Sequence, residues 1–506
     1  MRVTLSIAGG IRESAAACPD ALAVSDGDRR LTFRGLDDRA SRLANALRSA
    51  RSAGAGLSAG DRVAVLLGNR LEYVEIACGI AKAGLVMVPI STRATPAEVA
   101  HILGHSGSRA LLLDAAYADL AGDAAPPLVL AIGAAGAGPS YEAALAHASP
   151  ADPRVPVAED DPFTVVYTSG TTGAPKGVVI SHRSRVLTFY GAALDWGLGP
   201  GRRSVAVAPM HHGAGFAFGY APVFTGGMVT MLRRWDPEAL LDLIERERAQ
   251  SVFLVPTHAH MLRALGDTAL RSRDLSSLDT IYFNAAALPT TLKEWVMEAF
   301  PGVGVHELYG STEAGVISNC RPYDARRKPG SVGTPWFMTE IRIVGDDGAE
   351  AGPGERGELF SRSPYLMNGY LDDPAATAAC TTPDGFMTSG DIVVRDEEGY
   401  LSVVDRKKDM IISGGINIAP REVEEVLATC PGVAEAAVVG VPSAKWGEEV
   451  AAFVVAAGPV EAAAITDHCR RRLAGPKVPR HVEFVAALPR NAAGKILKRE
   501  LRTGRN

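Results

Sequence analysis

The sequence predicts an α/β protein: a large N-terminal domain of two βα-layered subdomains with a small β subdomain, followed by a small α+β C-terminal domain. Three observations lead there. Short apolar runs alternate with helical periods over most of the chain, the pattern of a largely parallel sheet covered by helices. After about Gly330 the texture changes to short alternating runs with turns, and beyond Asp409 to mixed helix and strand. At 506 residues the chain also exceeds what one core fills. The expected division is residues 1–405, with the β-rich part at about 330–405, a hinge at 406–408 and a C-terminal domain at 409–506.

In chain order, Leu36, Ala40, Leu43, Ala44 and Leu47 recur at helical spacing, Val63 to Leu67 form an apolar strand, and Tyr73, Ile76, Ala77 and Ile80 resume the helical period. Leu85 to Pro89 form a second strand. Thr95-Pro96-Ala97-Glu98 supplies a capping box with proline at the first helical position, and the strand Ala110 to Leu113 follows. The Ala-, Gly- and Pro-rich stretch from Ala121 to Pro153 carries little pattern beyond Leu128 to Leu130 and reads as a connection. A second βα unit then has strands at 163–167, 178–180, 204–207, 228–232, 251–255 and 280–283, with a helix from Pro237 to Arg248. Glu340 to Val344, closing on Asp347-Gly348, opens the β-rich part, which continues at Leu359-Phe360, Asp391 to Val394 and Tyr400 to Val404. Beyond it come a helix at Arg421 to Leu427, strands at Ala436 to Val441 and Val450 to Val455, and a helix near Ile465 to Leu473.

Composition narrows the function. A formal net charge of −5 and a pI near 6.2 give no support for nucleic-acid binding. The six cysteines are scattered without a C-x-x-C pair, so neither a disulfide framework nor a zinc site is expected. The N-terminus breaks at Gly9-Gly10, too early for a signal peptide, and no apolar run reaches spanning length. A cytoplasmic protein without a membrane span is the expectation, and a homodimer is left open.

Chemistry concentrates in Tyr167-Thr-Ser-Gly-Thr-Thr-Gly-Ala-Pro-Lys-Gly177. Gly170, Gly173 and Gly177 free the backbone to turn N–H groups toward an anion; Thr168, Ser169, Thr171 and Thr172 add hydroxyl donors and Lys176 a charge. It is not a Walker A loop: five positions after Gly170 stands Pro175, Lys176 is followed by Gly177, and a strand follows instead of a helix. Further on, His211-His212-Gly213-Ala214-Gly215-Phe216 follows a strand end, where α/β sheets place ligands. Tyr309-Gly310-Ser311-Thr312-Glu313 joins an aromatic face suited to a purine to a carboxylate that tolerates phosphates only across a divalent ion.

These blocks, with Thr388-Ser389-Gly390-Asp391, Asp405 to Asp409, Ser413 to Ile418, Trp446-Gly447-Glu448 and Pro489 to Leu497, resemble in order those of the adenylate-forming superfamily of acyl-CoA synthetases, beetle luciferases and peptide-synthetase adenylation domains, closest to acid–CoA ligases. The resemblance spans nearly the whole chain. It implies that Tyr309 stacks on adenine against the backbone of Ala285, Ala286 and Ala287, with Gly310 and Ser311 beside it. It further implies that Thr312 bonds the α-phosphate, Glu313 holds Mg2+, Asp391 accepts the ribose hydroxyls and Arg406 contacts ribose or phosphate. His212, Gly213, Gly215, Phe216 and Gly310 are implied to line the acyl pocket, and Gly414, Gly415 and Trp446 the thiol tunnel. Lys408 would be the pivot on which a mobile C-terminal domain delivers Lys495, which with Thr172, Lys176, His212 and Glu313 forms the catalytic set. The sequence departs from the pattern in an alanine-rich 285–287, in Ser389 for threonine, and in Gly213, where amino-acid-activating members carry aspartate and hydroxybenzoate-reading members often asparagine.

The expected activity is ATP-dependent ligation of a small-molecule carboxylic acid to CoA through an acyl-AMP, with release of pyrophosphate. The small residues of the acyl segments imply a roomy pocket without a fixed charge, for an aryl, medium-chain or polycyclic acid. Two alternatives stand beside it: an adenylating enzyme that loads the phosphopantetheine of an acyl carrier protein or leaves thiolation to a partner, and a non-catalytic nucleotide-binding protein of the same fold.

Overall fold

A computed structural model describes residues 4–49, 56–133, 140–168, 175–443, 445–490 and 496–503. It is a mixed α/β protein with a large N-terminal and a small C-terminal part. Among the described residues, seven strands form a sheet in the order Gly369–Tyr370, Lys176–Ser181, Pro162–Thr168, Val86–Pro89, Arg62–Leu66, Ala110–Asp114 and Leu128–Ile132. Nine form another, in the order Thr334–Pro335, Gly315–Cys320, Gly304–Ser311, Thr280–Phe283, Ser251–Leu254, Arg203–Ala206, Met228–Met231, Leu22–Asp26 and Arg29–Thr32. From Pro162–Thr168 to Leu128–Ile132 in the first sheet, and from Gly304–Ser311 to Leu22–Asp26 in the second, the pairings are parallel, as the alternation predicts. Antiparallel strands continue each sheet beyond these.

One hydrophobic core joins the two sheets: Val24, Val229 and Met231 from the larger, Val63, Val65 and Met87 from the smaller, and the helices Phe33–Arg48, Leu71–Lys82 and Gly213–Phe224 between them. The helix Leu71–Lys82 is buried at every position, so it has no solvated face and its sequence lacks a clean amphipathic stripe. The capping box forms as read, with Thr95 Oγ1 accepting from Glu98 N at 3.2 Å and Thr95 N donating to Glu98 at 2.7 Å.

Four antiparallel strands, Glu340–Val344, Arg356–Arg362, Met387–Arg395 and Leu401–Arg406, make the small β layer. The C-terminal part carries Ile411–Ser413, Ile416–Ile418, Val433–Ser443, Gly447–Ala456 and His481–Phe484 in one sheet, with helices Pro420–Ala428 and Ala462–Arg470 against it.

Several elements depart from the sequence reading. The stretch read as a connection contains the full strand Leu128–Ile132 and the helix Tyr141–His147, started by Ser140 accepting from Ala143 N. The strands Leu22–Asp26 and Arg29–Thr32 escaped notice because the second is polar and sits at a sheet edge, where no apolar face is required. Within the β-rich stretch, Thr334–Pro335 joins the nine-stranded sheet and Gly369–Tyr370 leaves to pair with Lys176–Ser181. The helix read near Ile465 to Leu473 spans Ala462–Arg470, and a further helix, Lys498–Thr503, was not read.

A bulge between Tyr309 and Gly310 interrupts the register of the strand that carries them. A Cβ on Gly310 would lie 2.0 Å from the carbonyl oxygen of Gly315. Gly310→Ala is therefore expected to lose about 1–3 kcal/mol of stability, read as a lower urea midpoint at unchanged slope.

Candidate active site

Three segments singled out in the sequence leave the same edge of the nine-stranded sheet. His211-His212 follows Arg203–Ala206, Ala285 to Ala287 follow Thr280–Phe283, and Tyr309 to Thr312 end Gly304–Ser311. These are carboxyl ends of parallel strands, where crossover loops leave a crevice. Ala285 holds φ +72°, a left-handed conformation that costs a non-glycine residue about 1–2 kcal/mol. The backbone of 285–287 is thereby turned outward and exposed.

Tyr309 donates to Asp391 Oδ2 at 2.6 Å, Ser389 Oγ donates to the same oxygen at 2.7 Å, and Arg406 Nε lies 3.2 Å from Asp391 Oδ1. A buried carboxylate is thus held from two sheets. The Tyr309 hydroxyl is pushed well above its ordinary pKa, first by burial and then by Asp391, so it remains a donor.

The glycine-rich loop joins two antiparallel strands in which Thr168 pairs with Lys176; Ser169, Gly170, Thr171, Thr172 and Gly173 lie outside the described residues. Lys176 Nζ stands 3.3 Å from Asp373 and 5.1 Å from the centre of the Tyr370 ring. The Tyr370 hydroxyl donates to Glu313 Oε1 at 3.1 Å, and Met367 N donates to the Glu313 carbonyl at 2.8 Å. The segment 367–373 therefore sits between the Lys176 cation and the Glu313 anion. Glu313 makes no ion pair among the described residues, and they contain no cluster of three or more metal-ligating side chains. One carboxylate completed by phosphate oxygens and water is an ordinary site for Mg2+.

A narrow cleft holds His211, His212, Gly213 and Phe216 together with Met87, Pro89, Thr164, Val166, Arg185 and Met210. Thr164 Oγ1, Arg185 Nε, His211 Nε2 and His212 Nε2 are buried there without a hydrogen-bond partner among the described residues. Burial brings His212 down to about 4. His211 is pushed well below its ordinary value by burial, then by His212 and Arg93. Both rings are neutral at pH 7. Arg185 was absent from the sequence reading, and with it a pocket without a fixed charge is incorrect. The small residues also have another cause: a Cβ on Gly215 would meet the Pro209 carbonyl oxygen at 2.0 Å, so backbone approach fixes that glycine.

Of the remaining predicted residues, Lys408 is exposed in the turn after Leu401–Arg406. Gly414 and Trp446 meet in the C-terminal sheet, where Gly414 N donates to the Trp446 carbonyl at 2.8 Å and Gly415 stands exposed at φ +80°. Lys495 lies outside the described residues.

Family models for AMP-binding enzymes match residues 11–371, and for the AMP-binding enzyme C-terminal domain residues 422–495. The chain belongs to the AMP-binding enzyme family. Among relatives in that family, feruloyl-CoA synthase from an Amycolatopsis species is 39% identical over 489 residues, covering 96% of each chain. The solved amide bond synthetase McbA from Marinactinospora thermotolerans is 31% identical with a TM-score of 0.89, covering 99% of this chain and 100% of that one. The o-succinylbenzoate CoA synthetase MenE of Bacillus subtilis, solved with the acyl-adenylate OSB-AMP, is 31% identical with a TM-score of 0.86, covering 98% of each. No helix of the described residues is long and apolar enough to cross a membrane.

Sequence reasoning missed Tyr370, Asp373 and Arg185. The first two lie on a two-residue strand and its following turn, too short for periodicity to detect. Arg185 carried a usable signal: it stands at the spacing of Phe189 and Ala192 on the buried face of His182–Asp195, where an unpaired cation is rare.

The neutral histidines give a signed pH effect. The unfolded chain takes up a proton on each near pH 6.5, while folded His212 does so only at about 4. Falling pH thus favours the unfolded state across that window, by on the order of 2 kcal/mol for such a histidine at pH 5. The melting temperature is expected to drop from pH 7 to pH 5, and to drop less in His212→Phe, which keeps a ring in the cleft.

Proposed function

We propose that this member of the AMP-binding enzymes activates an apolar-bodied carboxylic acid, of aryl, medium-chain or polycyclic type, with ATP. The acyl-AMP forms with release of pyrophosphate, and the acyl group passes to the thiol of CoA. The observation that carries the reading is the convergence of Tyr309, Asp391 and Arg406 at the strand ends, with Lys176 and Glu313 held on either side of Tyr370. The CoA ligases among the relatives support the choice of acceptor.

In this reading Tyr309 and the outward backbone of 285–287 flank adenine, and Asp391 takes the ribose hydroxyls. The hydrogen bond between Tyr309 and Asp391 sets base and sugar contacts by one network. Thr168 to Gly173 and Lys176 receive the outgoing pyrophosphate, and Thr312 the α-phosphate. Mg2+, when bound at Glu313, supplies neutralisation of phosphate charge. The acid's carboxylate is already ionised at neutral pH and needs no general base. The chain's task is to bring two anions together, so its contribution is positioning and charge. Lys495 approaches the reacting oxygens, then withdraws as residues 409–506 turn about Lys408 to present Gly414, Gly415 and Trp446 to the thiol. The structural likeness to an amide bond synthetase supports a second reading in which an amine takes the acyl group.

ATP–pyrophosphate exchange tests the first half. Exchange driven by aryl or medium-chain acids is expected; stimulation confined to α-amino acids or short dicarboxylates rules the proposal out. Product analysis with CoA, a carrier protein or an amine separates the acceptors. Lys495→Ala is expected to lower adenylation by on the order of 100-fold or more while thiolysis of supplied acyl-adenylate survives, and equal loss of both contradicts the alternation. Tyr370→Phe frees Glu313 from its hydroxyl partner and is expected to lower kcat/KM for ATP by on the order of 10-fold, with the KM for the acid unchanged.

A further inference from the structure

Arg185 is a buried cation whose surroundings leave it unmatched. Its side chain is buried in the cleft beside His211 and His212, and no carboxylate among the described residues pairs with it. None of the residues outside the description is an aspartate or glutamate. Among the described residues its Nη1 reaches only the Gly213 carbonyl, at 3.4 Å, and its Nε has no partner. Its guanidinium lies 5.9 Å from the centre of the Phe216 ring. Burial draws its pKa down to about 10, so the group stays charged at neutral pH. An isolated buried charge costs several kcal/mol unless an opposite charge offsets it.

The place for that opposite charge is visible in the backbone. A Cβ on Gly213 would stand 3.5 Å from Arg185 Nη2 and 4.0 Å from Thr312 Oγ1, with nothing nearer. The missing side chain thus leaves a gap with a guanidinium on one side and a hydroxyl on the other. Most residues of the cleft are fully buried, while His212 and Gly213 are only partly so. Four unpartnered polar atoms in one cleft also exceed what buried polar groups ordinarily tolerate.

We propose that Arg185 and the gap at Gly213 form an anion subsite of the acid pocket, which receives a carboxylate oxygen of the acid. This deepens the acid-activation reading and rests on it. Two sources share the chemistry: the carboxylate to be activated, which must come close to Thr312, or a second acidic group on the acid. Arg185 binds and orients the anion, and the gap sets how closely it approaches.

The test uses the whole protein with cinnamate and octanoate as monoacids and 4-carboxycinnamate and octanedioate as diacids. Arg185→Gln removes the charge, Arg185→Lys restores part of it, and Gly213→Ala fills the gap with a methyl group at ordinary contact distance, so the last should fold. Exchange kinetics are read with protection against thermal unfolding by the same acids without ATP. The expected result is a rise of at least tenfold in acid KM in Arg185→Gln and Gly213→Ala, partial recovery in Arg185→Lys, and an ATP KM within twofold of wild type. A rise for every acid assigns the subsite to the activated carboxylate; a rise confined to the diacids assigns it to the distal group. Acid KM and thermal protection unchanged in both variants overturn the subsite. A wild-type protein that is protected by these acids yet exchanges with none overturns acid activation, while loss of that protection in Arg185→Gln still upholds the subsite.

Discussion

The site depends on how one carboxylate is held. Asp391 lies in the small β layer, yet its oxygens are occupied by Tyr309 from the nine-stranded sheet, Ser389 from its own strand and Arg406 from the neighbouring strand. A buried carboxylate is stable only with such donors in place, so the contact ties together two layers that also share an apolar cluster, in which Ile317 of the nine-stranded sheet packs with Ile343, Leu359 and Val393. Because Asp391 and Arg406 are cross-strand partners, their mutual position follows from register, and Tyr309 is placed against them beside a bulge in its strand. The nucleotide groups assigned to these residues therefore inherit their geometry from backbone pairing rather than from flexible loops.

A second constraint acts through residues 367–373. Gly369–Tyr370 adds an edge strand to the sheet that carries the glycine-rich hairpin, and from it the Tyr370 ring reaches Lys176 while its hydroxyl reaches Glu313. Lys176 opens a strand of the seven-stranded sheet, whereas Glu313 lies in the turn between Gly304–Ser311 and Gly315–Cys320 of the nine-stranded one. Glu313 is held by the Tyr370 hydroxyl and Lys176 by a part-exposed ion pair with Asp373, contacts that solvent or ligand can replace.

How much was legible follows from the length scale of each signal. Parallel layering, the capping box and the strands around the glycine-rich loop were read because they extend over many residues with a fixed period or a defined cap. Tyr370 was not, since two residues carry no period. The glycines were read as space, whereas Gly215 and Gly310 answer to the carbonyls of Pro209 and Gly315; a close backbone approach leaves no mark in a single sequence. Ala285 shows the reverse. Its glycine-poor segment departs from the family pattern, yet the chain adopts the left-handed turn there, which strain at a functional loop allows when the surrounding strands fix it.

The C-terminal part has the internal consistency that movement requires. Its apolar clusters, among them Ile411, Val423, Val438, Val454 and Ile465, draw only on residues from Ile411 onward. The connection to the small β layer is polar: Arg421 donates to the Val403 carbonyl at 2.9 Å and its N–H to Asp405 at 3.0 Å, and Lys407 pairs with Glu358 at 2.8 Å. A rotation about Lys408 would exchange such contacts for hydration at small net cost, because hydrogen bonds lost to water are largely replaced. Exposing an apolar interface of similar extent would not be so compensated. The same polarity explains why Asp405, buried and raised in pKa by that burial, sits at this junction: its carboxylate meets the first turn of Pro420–Ala428, where helix N–H groups and the helix dipole favour a negative charge. The junction is thus held by oriented polar contacts.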